Sequence, residues 1–228
     1  MKRAGMIDAL ILRSNLDFEN VKKSYDKSLH ERHVSEDLKI SIKNIFENLR
    51  SCLDYLAHDL FEVKCANTGT PGKLYFPIRQ SAKEFSQIVA KDFPGLEVNH
   101  PETFKVLEAI QPYNNPWLGQ FNRLNNQNKH QDLVEQTRTE NRHVTVSRNG
   151  GSVSWGSGVT FGGGVSVMGV PIDPRTQMPV PNQVASTSVT IWVDFRFAEI
   201  NQSVLPFINT SIQQVSALFN SVRSLDKA

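Results

Sequence analysis

The chain has 228 residues, 39% hydrophobic and 21% charged, with a formal net charge of +2. It is long enough for a substantial core and lies in the ordinary globular range. The near-neutral charge, with no stripe of lysines and arginines, permits contact with nucleic acid without requiring it, and two cysteines, Cys52 and Cys65, are too few for a secreted disulfide framework.

The first residues, MKRAGMIDALIL, combine two basic residues with a short apolar run, but Asp8 interrupts the run and no small-residue cleavage site follows. No segment approaches the ~20 uninterrupted apolar residues of a membrane span. A soluble, cytoplasmic protein with no membrane association is therefore expected. From Glu19 to Glu62 the chain is free of proline and glycine. This stretch predicts two helices with a break near HVSED, where Ser35 can cap the second. In that second helix Ile42, Ile45, Leu49, Leu53, Leu56 and Leu60 recur at spacings of three and four and make one apolar stripe.

NTGTPGK then breaks the pattern, and LYFPI at 74–78 reads as an extended segment suited to an edge or a turn. Ser81 and Glu84 form a capping box opening a helix through Phe93, and Pro101 suits the first turn of a helix that ends at QPYNNP. Trp117 begins a further helix, to about residue 134. Beyond Arg142, HVTVSRNGGSVSW is two alternating runs around Asn149-Gly150, the signal of a type I′ hairpin. More β-like runs follow, and from Ser203 to Leu225 the helical period returns through Val204, Ile208, Ile212, Val215, Phe219 and Val222.

The fold class expected is α+β: mainly a bundle of five to six helices, with a small antiparallel sheet inserted before the last helix. As a single domain, 1–228, it divides into a helical bundle, 1–141 and 199–228, and a β insertion, 142–198.

The glycines of GGSVSWGSGVTFGGGV read as turns and bulges of the sheet, since no Gly-Lys-Ser/Thr follows and no strand-to-helix transition is expected there. His30 and His33 lie on neighbouring turns, but no third ligand is close in sequence and their surroundings are charged, so no metal and no cofactor is assigned.

The segment NRLNNQNKHQDLV, 122–134, is unusually rich in amides for a helix. At 100° per residue Trp117, Phe121 and Leu124 share one face, with Asn128 in its middle and Asn125 and Asp132 beside it. Buried amides and carboxylates need partners, and Arg50 and Asp54, at i, i+4 on the shoulder of the apolar stripe, can supply them. A polar network of Arg50, Asp54, Asn125, Asn128 and Asp132 is expected across two packed helices. On the opposite face Arg123 and His130 are only ~20° out of register and ~10 Å apart along the axis. Arg123 could hold a phosphate while His130 moves a proton, the minimum for attack of a ribose 2′-hydroxyl on its own phosphodiester without a metal. Lys129 and Arg138 could add contacts to the backbone.

The segments NLRSCLDYLAHDL, YFPI, IQPY and RLNNQNKHQDL, in that order, resemble a group of uncharacterised bacterial proteins that carry Leu-Arg-Ser-x-Leu-Asp, Phe-Pro-Ile and Asn-x-x-x-Lys-His. The likeness covers roughly residues 40 to 134. More distantly, the chain is similar to the HEPN superfamily, helical bundles that often act as metal-independent ribonucleases in toxin and antiphage systems. Their signature is an arginine and a histidine with four to six residues between them, working across a dimer interface. Arg123 and His130, with six residues between, match its long limit, while Leu124 stands where the family usually has a polar residue.

Two readings result. The first is a non-catalytic binding or assembly module on a HEPN-like bundle, with an unknown protein partner or other ligand on an exposed patch such as Trp155, Trp192 and the 171–183 loop. The alternative is a HEPN-type endoribonuclease using Arg123 and His130, with RNA as substrate and a homodimer as its working form.

Overall fold

The computed structural model describes residues 1–31, 34–65, 73–130 and 136–226. Its chain forms two compact units, one made of residues 1–136 and 197–228, the other of 137–196. Seven helices among the described residues, together with small antiparallel sheets placed before the last helix, make it an α+β protein that is mainly helical.

The first unit contains all the helices. Helix α1 (Ala4–Glu31) begins far ahead of the expected Glu19 and takes in the N-terminal apolar run. Its start is held by a clamp: the buried Asp59 accepts the Arg3 backbone N–H at 2.9 Å and the Arg3 guanidinium at 2.9 Å, and Glu62 accepts the other terminal nitrogen at 2.6 Å. Helix α2 (Glu36–Lys64) opens where the sequence places its cap, with Ser35 Oγ accepting from the Leu38 N–H at 3.2 Å. Glu36 and Asp37 in the first turn and Lys64 in the last match the helix dipole. All six members of its apolar stripe are buried.

Helix α3 (Ala82–Asp92) is capped by Ser81, whose Oγ accepts from the Glu84 N–H at 3.3 Å. A single turn, α4 (Leu96–Asn99), follows Gly95, whose φ of 81° suits glycine. Helix α5 (Pro101–Ala109) carries its proline in the first turn, where no amide hydrogen is needed. Helices α6 (Pro116–His130) and α7 (Val204–Leu225) complete the unit. Between them Trp117 Nε1 donates to Ser211 Oγ at 2.9 Å, and that hydroxyl donates to Phe207 O at 2.8 Å. At the centre the Phe46 ring packs against Phe121, Phe197 and Phe207, at centroid distances of 5.7, 5.8 and 6.1 Å.

In the second unit β1 (Gln136–Arg148) starts ahead of the expected residue 142, and β2 (Gly151–Gly156) pairs back on it, Arg148 opposite Gly151 and Val144 opposite Trp155. Asn149 and Gly150 both have positive φ, 53° and 78°, as a type I′ turn requires. A second sheet is built of β3 (Ser166–Val167), β4 (Val170–Asp173) and β5 (Met178–Pro179), all antiparallel. Strand β6 (Ser186–Phe197) lies beside β1, giving the order β2-β1-β6, and a two-residue β7 (Gln202–Ser203) precedes α7. This unit has its own small core of Val144, Val146, Trp155, Val170 and Ile172. Trp155 is part of that core, edge-on to Phe161 at 5.1 Å, and is not on an exposed patch as expected.

Candidate ligand-binding groove

The groove is built from α2 outward. Arg50 and Asp54 lie one turn apart, and the Arg50 guanidinium meets the carboxylate side-on, Nε to Oδ2 and Nη2 to Oδ1, both at 3.2 Å. Arg50 Nη1 crosses to α6 and donates to Asn122 Oδ1 at 3.3 Å. Asp54 has a second task, since its Oδ1 accepts the backbone N–H of Phe76 at 3.0 Å. The 74–79 segment lies outside any helix or sheet, and Asp54 and Gln111 of the bundle supply hydrogen bonds to its backbone. At its other end the fully buried Gln111 donates to Pro77 O and Leu107 O and accepts from the Arg79 N–H, each at 3.0 Å.

Leu74 and Phe76 are buried, while Tyr75 between them is 57% exposed. Beside it α2, α3 and α6 enclose a recess of about 290 Å³ lined by Arg50, Lys73, Tyr75, Arg79, Asn122 and Asn126, with Asp92 at the α3 side. Arg79 also borders a neighbouring recess of about 330 Å³ that includes Lys91. Its Nη1 donates to Ile78 O at 2.7 Å, and no carboxylate among the described residues pairs with Arg79 or with Lys73. Arg50, by contrast, is held on two sides, which leaves one N–H on each terminal nitrogen without a partner among the described residues.

The sequence-derived site residues divide as follows. Arg50 and Asp54 are together, but the amide that Arg50 reaches is Asn122. Asn125 faces the core and is 1% exposed; neither atom of its amide has a hydrogen-bond partner among the described residues. Arg123 is exposed and ion-paired with Glu199 on the wall of a separate cleft of about 560 Å³ that also includes Gln80, Pro112 and Gln120. Gly119 in that wall lets α6 lie against Pro112, since a Cβ there would come within 3.2 Å of the proline ring. The side chains of Asn128, Lys129, His130, Arg138 and Trp192, and Asp132 and His33 entirely, lie outside the described residues.

Sequence reasoning missed Asn122, Gln111, Arg79 and Lys73. A usable signal was present: a proline-containing extended segment outside a sheet must find backbone partners, and the glutamine of IQPY is a fitting donor and acceptor. Compared with known proteins, the chain matches no family, no curated protein and no solved structure.

Proposed function

We propose that the protein is a non-catalytic binding module on a HEPN-like helical bundle, acting in the cytoplasm, and that the groove between α2, the 74–79 segment and α6 seats an anionic group of its ligand. The observation that carries this reading is the state of the three cations. Arg50 is positioned by Asp54 and Asn122, whereas Arg79 and Lys73 face the same recess without a carboxylate partner among the described residues. A phosphate or carboxylate entering there gains charge-assisted hydrogen bonds, and the Asn122 and Asn126 amides and the Tyr75 ring are at hand for the rest of a ligand. Titration with inorganic phosphate, followed by NMR on the arginine Nε–H and asparagine side-chain signals, tests this. Saturable shifts at Arg50 and Arg79 that vanish in Arg79→Ala support it. Shifts that persist unchanged in Arg79→Ala overturn it.

A second reading is a metal-independent endoribonuclease of HEPN type, in toxin or antiphage defence, with Arg123 and His130 as its catalytic pair and Lys129 and Arg138 on the RNA backbone. The observation in its favour is that Arg123 is exposed on the wall of the largest of the clefts described, where a phosphate could replace Glu199 as its partner. Cleavage of total RNA that continues in EDTA and stops in folded Arg123→Ala and His130→Ala proteins would establish it. Intact RNA at high protein concentration would exclude it.

A further inference from the structure

The recess beside Tyr75 holds unpaired charge of both signs. Asp92 borders it together with Arg50, Lys73 and Arg79, yet its carboxylate makes no ion pair or side-chain hydrogen bond among the described residues. Asp92 is the last residue of α3, where a carboxylate stands against the helix dipole, so the helix itself gains nothing from it. On α6, Asn122 turns its Oδ1 to Arg50 and has its amino group left over. Asn126, one turn further along, has its whole amide without a partner among the described residues. The exposed Tyr75 ring meets no other aromatic ring and no cation there.

We infer that the anion seated in this recess is the phosphate of a phosphorylated sugar. The inference rests on the anion seat proposed above and names what the anion is attached to. The groups left over are a carboxylate, which only accepts, and amides, which also donate. Hydroxyl groups answer that set, because each donates one hydrogen and accepts others. Two neighbouring hydroxyls can donate to the oxygens of Asp92 while accepting from the amino groups of Asn122 and Asn126. The phosphate takes Arg79, Lys73 and the remaining N–H groups of Arg50. The C–H face of the sugar ring carries slight positive charge and suits the negative face of Tyr75.

An anion bearing an ammonium group would also answer Asp92. An ammonium only donates, however, and would set donors against the two amide amino groups. Size adds to the argument: a recess of about 290 Å³ lies at the small end of ligand pockets, roughly 300–1,000 Å³, and takes one phosphorylated ring, not a polymer of them.

Calorimetric titration of the full chain with inorganic phosphate, ribose 5-phosphate, glucose 6-phosphate, glucose 1-phosphate and O-phosphoethanolamine tests the inference. At least one sugar phosphate should bind about tenfold or more tighter than inorganic phosphate. Asp92→Ala, which relieves a helix end and so keeps the fold, should abolish that gain while leaving inorganic phosphate bound as well as before or better. Tyr75→Ala should likewise reduce the sugar phosphate and spare inorganic phosphate. Inorganic phosphate that binds while no sugar phosphate exceeds it overturns the inference and leaves the anion seat standing. So does O-phosphoethanolamine binding tighter than all three sugar phosphates, or an Asp92→Ala protein that loses inorganic phosphate and sugar phosphate alike. Failure of every probe to bind removes the anion seat and this inference together.

Discussion

Asp54 accepts the backbone N–H of Phe76 at 3.0 Å while the same carboxylate grips the Arg50 guanidinium, so one side chain fixes both a wall of the groove and a cation in it. Asp54→Ala strands a backbone donor and frees Arg50, and should cost about 1–3 kcal/mol of stability. Asp54→Asn keeps an acceptor for Phe76 and should cost less. Urea denaturation of the two variants side by side checks the order.

Gln111 is the counterpart at the far end of the segment. Gln111→Leu leaves the Arg79 N–H and the Pro77 carbonyl without partners in a buried setting and should destabilise by about 3 kcal/mol. Hydrogen exchange of the Arg79 amide should accelerate in the variant more than exchange in the middle of α2.

Asn125 predicts the opposite sign. Its amide is buried without a partner among the described residues, so Asn125→Leu, of similar volume, should stabilise by about 1 kcal/mol. A lower midpoint in the denaturation curve would show that the amide is in use.

The Arg3 clamp gives a pH dependence. Hydrogen bonds from Arg3, and then from Lys2, hold the Glu62 carboxyl down at about 2 against an ordinary value of 4.5. A carboxyl lowered in the folded state stabilises above its ordinary value, and the contribution disappears as the pH falls through the window from 4.5 to about 2. Amide exchange in the first turn of α1 should therefore accelerate across that window in the wild type. In Glu62→Gln it should be fast already at neutral pH and show little change.

Burial pushes the Cys52 thiol up to about 12, so it remains protonated at pH 8 and shielded. Alkylation by iodoacetamide at that pH should be slow in the native protein and fast in denaturant. Rapid native labelling at Cys52 would contradict the packing of α2 against α1.

The elements that were legible in the sequence carry their signal locally. The stripes of α2 and α7 repeat at helical spacing for several turns, Ser35 and Ser81 mark helix starts, and Asn149-Gly150 admits few turns besides the one observed. Helix α1 hid its first half because apolar residues on both faces blur the period, and α4 has too few residues to show any period. In the groove, Arg50 and Asp54 were legible as an i, i+4 pair. Their partners were not: a helical wheel centred on Trp117 and Phe121 directs attention to Asn125, whereas the packing of α2 brings Arg50 to Asn122 on the flank. Gln111 and Arg79 meet across more than thirty residues of sequence, a pairing that no local pattern records.

The placement of residues 137–196 between α6 and α7 has a consequence for how the protein is made. A ribosome delivers Phe46, Trp117 and Phe121 early, but Phe207 and Ser211, which cover them, emerge only after the entire inserted unit has been synthesised. At roughly 5–20 residues per second the aromatic centre of the nascent bundle waits several seconds for its last helix. The groove residues from Arg50 to Asn126 all precede that interval, so the walls of the recess are synthesised before the helix that closes the aromatic centre.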